Sequence, residues 1–397
     1  MATLSVVIPA SNEESGIADI CIRVLAITEQ LNVVGVDSLE LLVVDDGSRD
    51  KTAEIVAGLP GVRLIRHASN QGYGAALKTG FAQAQGELLG FLDADGTYPP
   101  EYFPPLCQAA LQGAELVIGS RMAGADSQMP LTRRFGNLFF ASLLTLVSRQ
   151  RVSDSASGMR VFHRSILERI YPLPDGLNLT PVMSTRAIHE GVHVVEVPIP
   201  YSERVGRSKL SVVRDGRIFL QSILWTALTY NPVRILGLLG MAGIGLTLAV
   251  ALGFVVARLR GVTSLSPLAV AALYFALVAA LTGVNLFALG VTFNYLVSLF
   301  YKRPIRQGLF GKPLFKTPLD RQFGWVGLLG MFMGFVISGV SLWLGWTGWD
   351  ISRLWFYLTG AAAIFLVGLQ LVVYYILLRV LDELSQREVM TRQDLNR

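Results

Sequence analysis

The first half of the chain alternates short apolar runs with segments in which apolar side chains recur at helical spacing. The helical spacing covers 13–30, 50–58, 74–85 and 101–112. Because 41–44 is apolar at every position, helices should cover both faces of the sheet. The pattern therefore predicts an α/β domain with a mostly parallel sheet. Its predicted strands lie in 4–10, 39–48, 62–69, 87–96, 114–121 and 192–201.

The second half contains four long, almost uncharged runs, each long enough to cross a bilayer. The whole chain is 52% hydrophobic and 16% charged, which is too apolar for a single water-soluble enzyme of 397 residues. We therefore expect an α-helical membrane domain over 232–397. Its predicted spans are about 233–257, 268–300, 324–347 and 354–378.

Between these halves, segment 208–231 mixes charged and apolar residues at near-helical spacing. Its Trp225 and Tyr230 are side chains typical of headgroup depth, which predicts a helix lying in the membrane interface. The alternative is a plain surface helix of the first domain. The first domain is then expected to cover 1–207.

Positive charge is distributed unevenly around the predicted spans. Lys and Arg are frequent in 301–323 and in the C-terminal tail, whereas the opposite loops carry only Arg258, Arg260 and Arg353. The first residues also lack the pattern of a signal peptide. We expect a multi-pass protein of the plasma membrane with the first domain and both termini in the cytoplasm.

The net charge of +5 comes mostly from these loops and from a basic stretch before the first span, so it suits an anionic bilayer surface and does not indicate nucleic acid as a partner. A homo-oligomer is compatible with the sequence. Cys21 and Cys107 lie in predicted helices of the cytoplasmic half, where we expect thiols of the core and no disulfide.

Polar clusters follow four of the predicted strands, in 9–13, 45–48, 69–74 and 93–97. Each cluster alone could be a helix cap or a turn. Since ligands of such sheets bind beyond the carboxyl ends of the strands, four clusters on one edge favour a binding cleft.

Asp93 and Asp95 stand two positions apart at the end of an apolar strand, so their side chains point the same way. Two carboxylates this close repel unless a cation lies near them. Carboxylates together with substrate phosphates commonly hold Mg²⁺. This spacing predicts a metal bridging the protein to a diphosphate.

Several other nucleotide and metal motifs are missing or broken. The segment 70–80 lacks the spacing of a Walker loop, and no Gly-x-Gly-x-x-Gly turn follows the first strand. His189 and His193 match a zinc-protease pattern, but Gly191 interrupts the helix that this chemistry needs.

Basic residues supply the second half of a phosphate-handling site, because arginine and lysine bind phosphate well. For Arg204, Ser208 and Lys209, nonspecific contact with anionic lipid headgroups is the alternative. A cation cluster at the membrane surface suggests a phosphorylated lipid as second substrate. The candidates are Arg121, Arg133, Arg134, Arg204, Ser208 and Lys209.

Seven motifs from residue 3 to about 215 resemble family 2 glycosyltransferases of the dolichyl-phosphate mannose synthase type. The membrane half is similar in pattern to the extensions of prokaryotic polyprenyl-phosphate glycosyltransferases. The motifs, in order, are "VVIPASNEE", "LLVVDDGSRDKT", "NQGYGAALKTG", "FLDADGTYPPE", "VIGSR", "SDSASGMRVFHR" and "RVGRSKL".

The resemblance implies a GT-A fold and inverting transfer of one hexose, mannose or glucose, from a GDP- or UDP-sugar to polyprenyl or dolichyl phosphate. Asp93, Asp95 and Thr97 would hold Mg²⁺ or Mn²⁺. Asp95, Arg121 and Asp154 would serve catalysis, with Asp154 orienting a cation. The basic candidates named above would bind the acceptor phosphate. The nucleotide site would consist of Pro9, Ala10, Ser11, Glu13, Val44, Asp45, Asp46, Asn70, Gly72, Lys78, Asp93 and Ala94.

Two positions depart from the family pattern. Thr97 stands where many mannose synthases have a glutamine that also reaches the metal, and Ser11 stands where a tyrosine is usual. The third metal ligand and the choice between GDP and UDP are therefore left open.

A lipid phosphate is already an anion, so the expected reaction needs no dedicated general base.

A processive polysaccharide synthase is the nearest alternative function, but "QSILW" at 221–225 lacks the arginine of its Gln-x-x-Arg-Trp motif. The other alternative function is a membrane scaffold or a lipid flippase. The predicted spans contain few charged residues that could line a pathway, which argues against it.

Overall fold

The computed structural model describes residues 2–122, 129–147, 152–202, 212–262, 264, 266–301, 319–349 and 351–395. The chain divides into two compact units, Met1–Ala227 and Leu228–Arg397.

The first unit is built on a seven-stranded sheet with the order β3-β2-β1-β4-β6-β5-β7. All neighbouring strands are parallel except at β6, which runs antiparallel to β4 and β5. The predicted mostly parallel α/β sheet is therefore confirmed. The strands are β1 Ala2–Ala10, β2 Val36–Asp45, β3 Val62–Arg66, β4 Leu88–Phe91, β5 Leu116–Ser120, β6 Arg160–His163 and β7 Val194–Pro198.

Helices connect the strands and cover both faces of the sheet. The predicted helix over 13–30 is divided at Ile27 into two. The helices of this part of the chain are α1 Ile17–Ala26, α2 Thr28–Val33, α3 Thr52–Ala57, α4 Tyr73–Gln83, α5 Phe103–Leu111, α6 Leu131–Val147, α7 Leu167–Ile170, α8 Leu179–His189 and α9 Val212–Tyr230. Short 3₁₀ turns occupy Pro100–Tyr102 and Arg164–Ile166.

Alternate residues of a strand face opposite sides of the sheet, and here both sides are buried. In β2, Leu41 and Val43 join one apolar cluster, while Leu42 and Val44 join the other. Cys21 and Cys107 are buried and free in the first of these clusters, which confirms them as thiols of the core. A sheet buried on both faces leaves its strand ends as the place for a site.

The register brings the carboxyl ends of the first three strands to one level. Ala10 of β1 pairs with Asp45 of β2, and Asp45 pairs with Arg66 of β3. The polar segments that follow these strands consequently begin side by side. This placement explains why clusters distant in sequence can share one cleft.

The second unit consists of long apolar helices, and the four predicted membrane-spanning helices are confirmed as helices of sufficient length and apolarity. Each of the pairs α10–α11 and α12–α13 packs closely. Glycines allow this approach: a Cβ added at Gly327 would lie 2.7 Å from the Gly368 carbonyl oxygen. The helices are α10 Pro232–Leu259, α11 Pro267–Tyr301, α12 Phe323–Trp346 and α13 Ile351–Leu395, with a 3₁₀ turn at Leu319–Gln322 before α12.

Candidate active site

A cavity of about 720 Å³ lies within the first unit, at the carboxyl ends of the central strands. All four predicted polar segments contribute to its wall, so the sequence-based prediction that they share one cleft is confirmed. Of the predicted site residues, Pro9, Ala10, Ser11, Glu13, Asp46, Asn70, Asp93, Ala94, Asp95, Thr97 and Arg121 line it.

Asp93 and Asp95 both line this cavity, just after β4. The Tyr73 hydroxyl donates a hydrogen bond of 2.8 Å to Asp93 Oδ1. Burial, with the neighbouring Asp93 charge, raises the pKa of Tyr73, so the phenol stays a neutral donor. Gly158 lies directly against Asp93, since a Cβ there would be only 2.4 Å from Asp93 Oδ2. The position of the first carboxylate is thus set from two sides.

Asp95 is fixed by its own turn. Its Oδ1 accepts hydrogen bonds from the Thr97 hydroxyl at 2.6 Å and from the Thr97 backbone N–H at 3.2 Å. Gly96, between them, has φ 75°, a conformation that glycine adopts without strain. The geometry gives Thr97 a clear part in orienting Asp95. Its predicted contact with a metal stays a prediction.

The donor set at this turn fits a hard divalent cation. Within the described ranges, no group of three or more His, Cys, Asp or Glu side chains could hold a metal by itself. Mg²⁺, however, is usually held by one or two carboxylates plus substrate phosphates and waters. Asp93 and Asp95 line the same cavity and provide two such carboxylates.

Asp46 organises the loop that follows β3. Its Oδ1 lies 2.7 Å from His67 Nδ1 and accepts a 2.8 Å bond from the Gln71 N–H, while Oδ2 accepts from the Gly72 N–H at 2.9 Å. The other ring nitrogen of His67 lies 3.0 Å from Thr79 Oγ1. Sequence analysis did not assign His67 a role, and only the folded loop shows that it holds Asp46.

Arg121, directly after β5, forms a buried ion pair with Asp154. Its Nε and Nη2 donate to the two Asp154 carboxylate oxygens at 2.7 Å each, and its backbone N–H donates at 3.0 Å. Its guanidinium carbon lies 5.9 Å from the Tyr98 ring centre and 5.4 Å from that of Tyr201. Packing against two rings adds cation–π attraction and fixes the plane of the guanidinium.

The charges of this pair stabilise one another. Burial works against the charged form of each residue, but the mutual attraction and hydrogen bonds outweigh it. The pKa of Arg121 is raised and that of Asp154 is lowered. The Arg121 side chain is 12% exposed and lines the cavity, so a permanent positive charge faces the space beside the two carboxylates.

Arg160 is a second buried cation that sequence reasoning missed. It is fully buried and donates to the carbonyls of Ser155 and Ser157 and to the Ser184 hydroxyl. Burial lowers its pKa to about 10, with partial compensation from the charge of Asp154. It remains charged at neutral pH and fixes the chain just before Gly158 in the cavity wall.

One wall of the cavity is apolar. Phe135, Phe139 and Phe140 of α6 and Phe219 of α9 line it. Phe135 and Phe139 are 68% and 56% exposed, which is unusual for large apolar side chains of a water-soluble surface. Sequence analysis assigned no element to 131–147, so this wall was not predicted.

Some predicted site residues lie away from the cavity lining. Val44 is buried in the core, and the Gly72 N–H is used by Asp46. Asp45 Oδ1 accepts from the Ser48 N–H at 3.2 Å, a contact within the turn that follows β2. Lys78 binds the Leu173 carbonyl at 3.0 Å and Asp175 Oδ1 at 2.5 Å. Their assignment to the nucleotide site therefore gains no geometric support.

Only some of the residues predicted to bind the acceptor phosphate lie in the described part of the chain. Arg134 is exposed on α6 and is not part of the cavity lining. Arg133 belongs to the backbone of α6, but its side chain, like Arg204, Ser208 and Lys209, lies outside the described part of the chain. Their contact with an acceptor phosphate stays a prediction.

Sequence comparison places this fold and site in a family of sugar-transferring enzymes. Residues 5–171 match glycosyl transferase family 2, and residues 232–392 match a family described as a domain of unknown function. A dolichyl-phosphate hexose transferase of Haloferax volcanii is 32% identical over 221 residues, which are 56% of this chain and 92% of that protein. The chain belongs to glycosyl transferase family 2.

One further relative in sequence and one solved structure are also similar to part of this chain. An undecaprenyl-phosphate 4-deoxy-4-formamido-L-arabinose transferase of Photorhabdus laumondii is 34% identical over 257 residues, covering 63% of this chain and 75% of that protein. A solved glucosyl-3-phosphoglycerate synthase from Mycobacterium tuberculosis is 21% identical, with a TM-score of 0.46 over 57% of this chain and 78% of that one.

Proposed function

We propose that this protein is an inverting glycosyltransferase that moves one hexose from a nucleotide sugar to polyprenyl or dolichyl phosphate. The observation that carries the proposal is the position of Arg121 in the same cavity as Asp93 and Asp95. One cavity thus offers carboxylates for a metal and its diphosphate, and beside them a cation for a second anionic group. The sugar transferases that are similar in sequence act on dolichyl or undecaprenyl phosphate by name.

The donor half of the site would lie along the ends of β1, β2, β3 and β4. Pro9, Ser11, Asp46 and Asn70 form the wall where the base and ribose would bind. Asp93 and Asp95 would hold Mg²⁺ or Mn²⁺, which neutralises charge on the departing diphosphate when bound. The nucleotide is GDP or UDP and the sugar mannose or glucose in this proposal.

Arg121 is the acceptor residue that the geometry supports best. Arginine carries five N–H donors, and two of them bind Asp154. Among the described residues, no hydrogen-bond partner of the remaining N–H groups is found. A phosphate oxygen entering the cavity would meet donors already held in place, so little ordering entropy is lost on binding.

The apolar wall would hold the first part of the lipid chain. The hydrocarbon of a lipid phosphate bound at Arg121 would meet Phe139, Phe140 and Phe219, which line the same cavity. Burying apolar surface contributes about 25 cal/mol per Å². This wall therefore favours a lipid phosphate over free inorganic phosphate as acceptor.

The chemistry needs no proton transfer in the bond-forming step. A phosphate oxygen of the acceptor forms a bond to the anomeric carbon of the sugar as the bond from that carbon to the nucleoside diphosphate breaks. Attack opposite to the leaving group inverts the configuration, and the nucleoside diphosphate leaves with the bonding electrons. The protein aligns the two substrates and stabilises the charge that moves between them.

We further propose that the enzyme resides in the plasma membrane, with the first unit and both termini in the cytoplasm. The four apolar helices support membrane association, and the Lys and Arg residues of 301–323 support the orientation. The placement of α9 in the membrane interface belongs to the same proposal. Its Trp225 is 62% exposed, as an interfacial anchor would be.

A comparison of two acceptors tests the proposed reaction. The purified chain in detergent, with Mg²⁺ and a nucleotide sugar, should release one nucleoside diphosphate per polyprenyl phosphate consumed. The matched polyprenol should release none, because its hydroxyl needs a base that the mechanism does not use. Equal release with the alcohol would contradict the proposal.

A further inference from the structure

Glu196, in the edge strand β7, gathers three hydrogen bonds from one short segment of chain. Its Oε1 accepts from the Ser153 N–H at 2.8 Å and from the Asp154 N–H at 3.0 Å, and its Oε2 accepts from the Ser153 hydroxyl at 2.7 Å. A carboxylate that accepts backbone N–H groups orients them strongly. Glu196 consequently fixes the backbone from which the Asp154 side chain extends.

Two other elements hold the same segment. Ser153 Oγ lies 2.8 Å from Ser120 Oγ, at the end of β5. The Asn137 amide of α6 donates to the Ser153 carbonyl at 3.1 Å. Residues 153–154 are therefore tied to β5, β7 and α6 at once. These hydrogen bonds from three elements restrict how far the Asp154 backbone can move.

Through Asp154, the hydrogen bonds that hold residues 153–154 also determine the position of the Arg121 guanidinium. Asp154 is fully buried and accepts three hydrogen bonds from Arg121, two of them from the side chain. A shift of the Asp154 backbone would therefore rotate or displace the cation that faces the cavity. Displacements on the order of 1 Å at a positioning group are enough to weaken binding and catalysis.

We propose that Glu196 is a positioning residue for the acceptor phosphate, acting through Ser153 and Asp154 on Arg121. This inference rests on the proposed function, in which Arg121 binds the lipid phosphate. Glu196 itself is not part of the cavity lining, so it touches neither substrate. Its role is to determine how well Arg121 is oriented before the lipid arrives.

A positioning role and a purely electrostatic role of Glu196 predict opposite changes in the affinity for lipid phosphate when Glu196 is replaced by Gln. Removing the negative charge of Glu196 would, by charge alone, strengthen the attraction of the site for an anion. Loss of orientation acts in the other direction, because an amide nitrogen cannot accept the bond from the Ser153 hydroxyl or a backbone N–H. Positioning therefore predicts weaker binding of the lipid phosphate in Glu196→Gln.

The experiment compares Glu196→Gln with Glu115→Gln in the full chain. Glu115 is a matched control, since its carboxylate also accepts a backbone N–H, that of His193, and lies outside the cavity lining. We expect Glu196→Gln to raise KM for polyprenyl phosphate roughly tenfold and to leave KM for the nucleotide sugar within about twofold. Glu115→Gln should lower the melting temperature without changing either KM.

The outcomes are distinct. Unchanged or lower KM for the lipid phosphate in Glu196→Gln, or an equal rise in both KM values, would overturn the inference. If Glu196→Gln does not fold, Ser153→Ala replaces it, and the loss of one hydroxyl bond to Glu196 should raise the lipid KM about threefold, with no rise counting against the inference. A wild-type chain that does not use lipid phosphate would instead reject the proposed function.

Discussion

Arg121 and Asp154 form a two-point ion pair at the wall of the cavity, with both side-chain bonds at 2.7 Å. The two residues are 33 positions apart in the sequence, and β5 and the turn before β6 bring them together. The buried carboxylate uses its charge to hold the arginine, and the arginine presents its remaining donors to the cavity. The pair thus connects the stability of the first unit to its proposed acceptor site.

The two buried thiols provide a way to follow unfolding of the first unit. Burial raises the pKa of Cys21 and of Cys107 to about 12, so both remain protonated at assay pH. We expect no reaction with a maleimide at pH 8 in the native chain and two labelled thiols after denaturation, counted by intact mass. Rapid labelling of the native chain would contradict their placement in the core.

Asp154→Asn should destabilise the first unit because it leaves the Arg121 charge buried without its partner. Removing one member of a buried ion pair costs about 3–5 kcal/mol. We expect the denaturant midpoint, measured by thiol labelling, to fall markedly in this variant. The double variant Arg121→Met with Asp154→Leu should recover much of the lost stability but not the activity. A single variant as stable as wild type would show that the pair carries little energy.

The same pair predicts how stability depends on pH. The folded pKa of Asp154 is lowered, so its stabilising contribution is present above the unfolded pKa of about 3.9 and is lost as the pH falls through the folded value. The stability difference between wild type and Asp154→Asn should therefore be full at pH 7 and shrink below about pH 4. A difference that stays constant down to pH 2 would contradict this linkage.

Tyr73→Phe removes the hydroxyl that donates to Asp93 and keeps the ring. We expect kcat/KM for the nucleotide sugar to fall about tenfold and the Mg²⁺ concentration for half-maximal activity to rise. Tyr171→Phe is the control, since that side chain is 38% exposed and is not part of the cavity lining. If both variants behave like wild type, the bond to Asp93 is not used in metal binding.

The sequence predicted the cleft well because strand ends can be read from where apolar runs stop. Asp93 and Asp95 could be placed on one face from the two-residue period of a strand alone. The sequence analysis did not predict β6, a strand of four residues that begins at Arg160. The partners of Lys78 and His67 depend on loops that approach from elsewhere in the chain, which spacing along the sequence does not reveal.

The apolar wall was missed for a related physical reason. Phe135, Phe139 and Phe140 lie in α6, and the sequence analysis predicted no helix in that part of the chain. Their exposure, and the meeting of α6 with α9 at one cavity, are properties of the fold. The proposal of a lipid phosphate as acceptor thus came from the cation cluster and the motifs, and the structure adds an apolar surface that would bind the lipid.

The most direct test of the proposed function is the transfer of radiolabel from a panel of GDP- and UDP-sugars into the lipid fraction. Wild type with Mg²⁺ or Mn²⁺ and polyprenyl phosphate should form a lipid product whose mass equals that of the acceptor plus one hexose residue, which is one hexose minus one water. Asp95→Asn should lose at least about a hundredfold in rate while keeping its fold, because the amide oxygen still accepts from Thr97. The exposed Asp37→Asn serves as control. No labelled lipid with any sugar, or full activity in Asp95→Asn, would contradict the account.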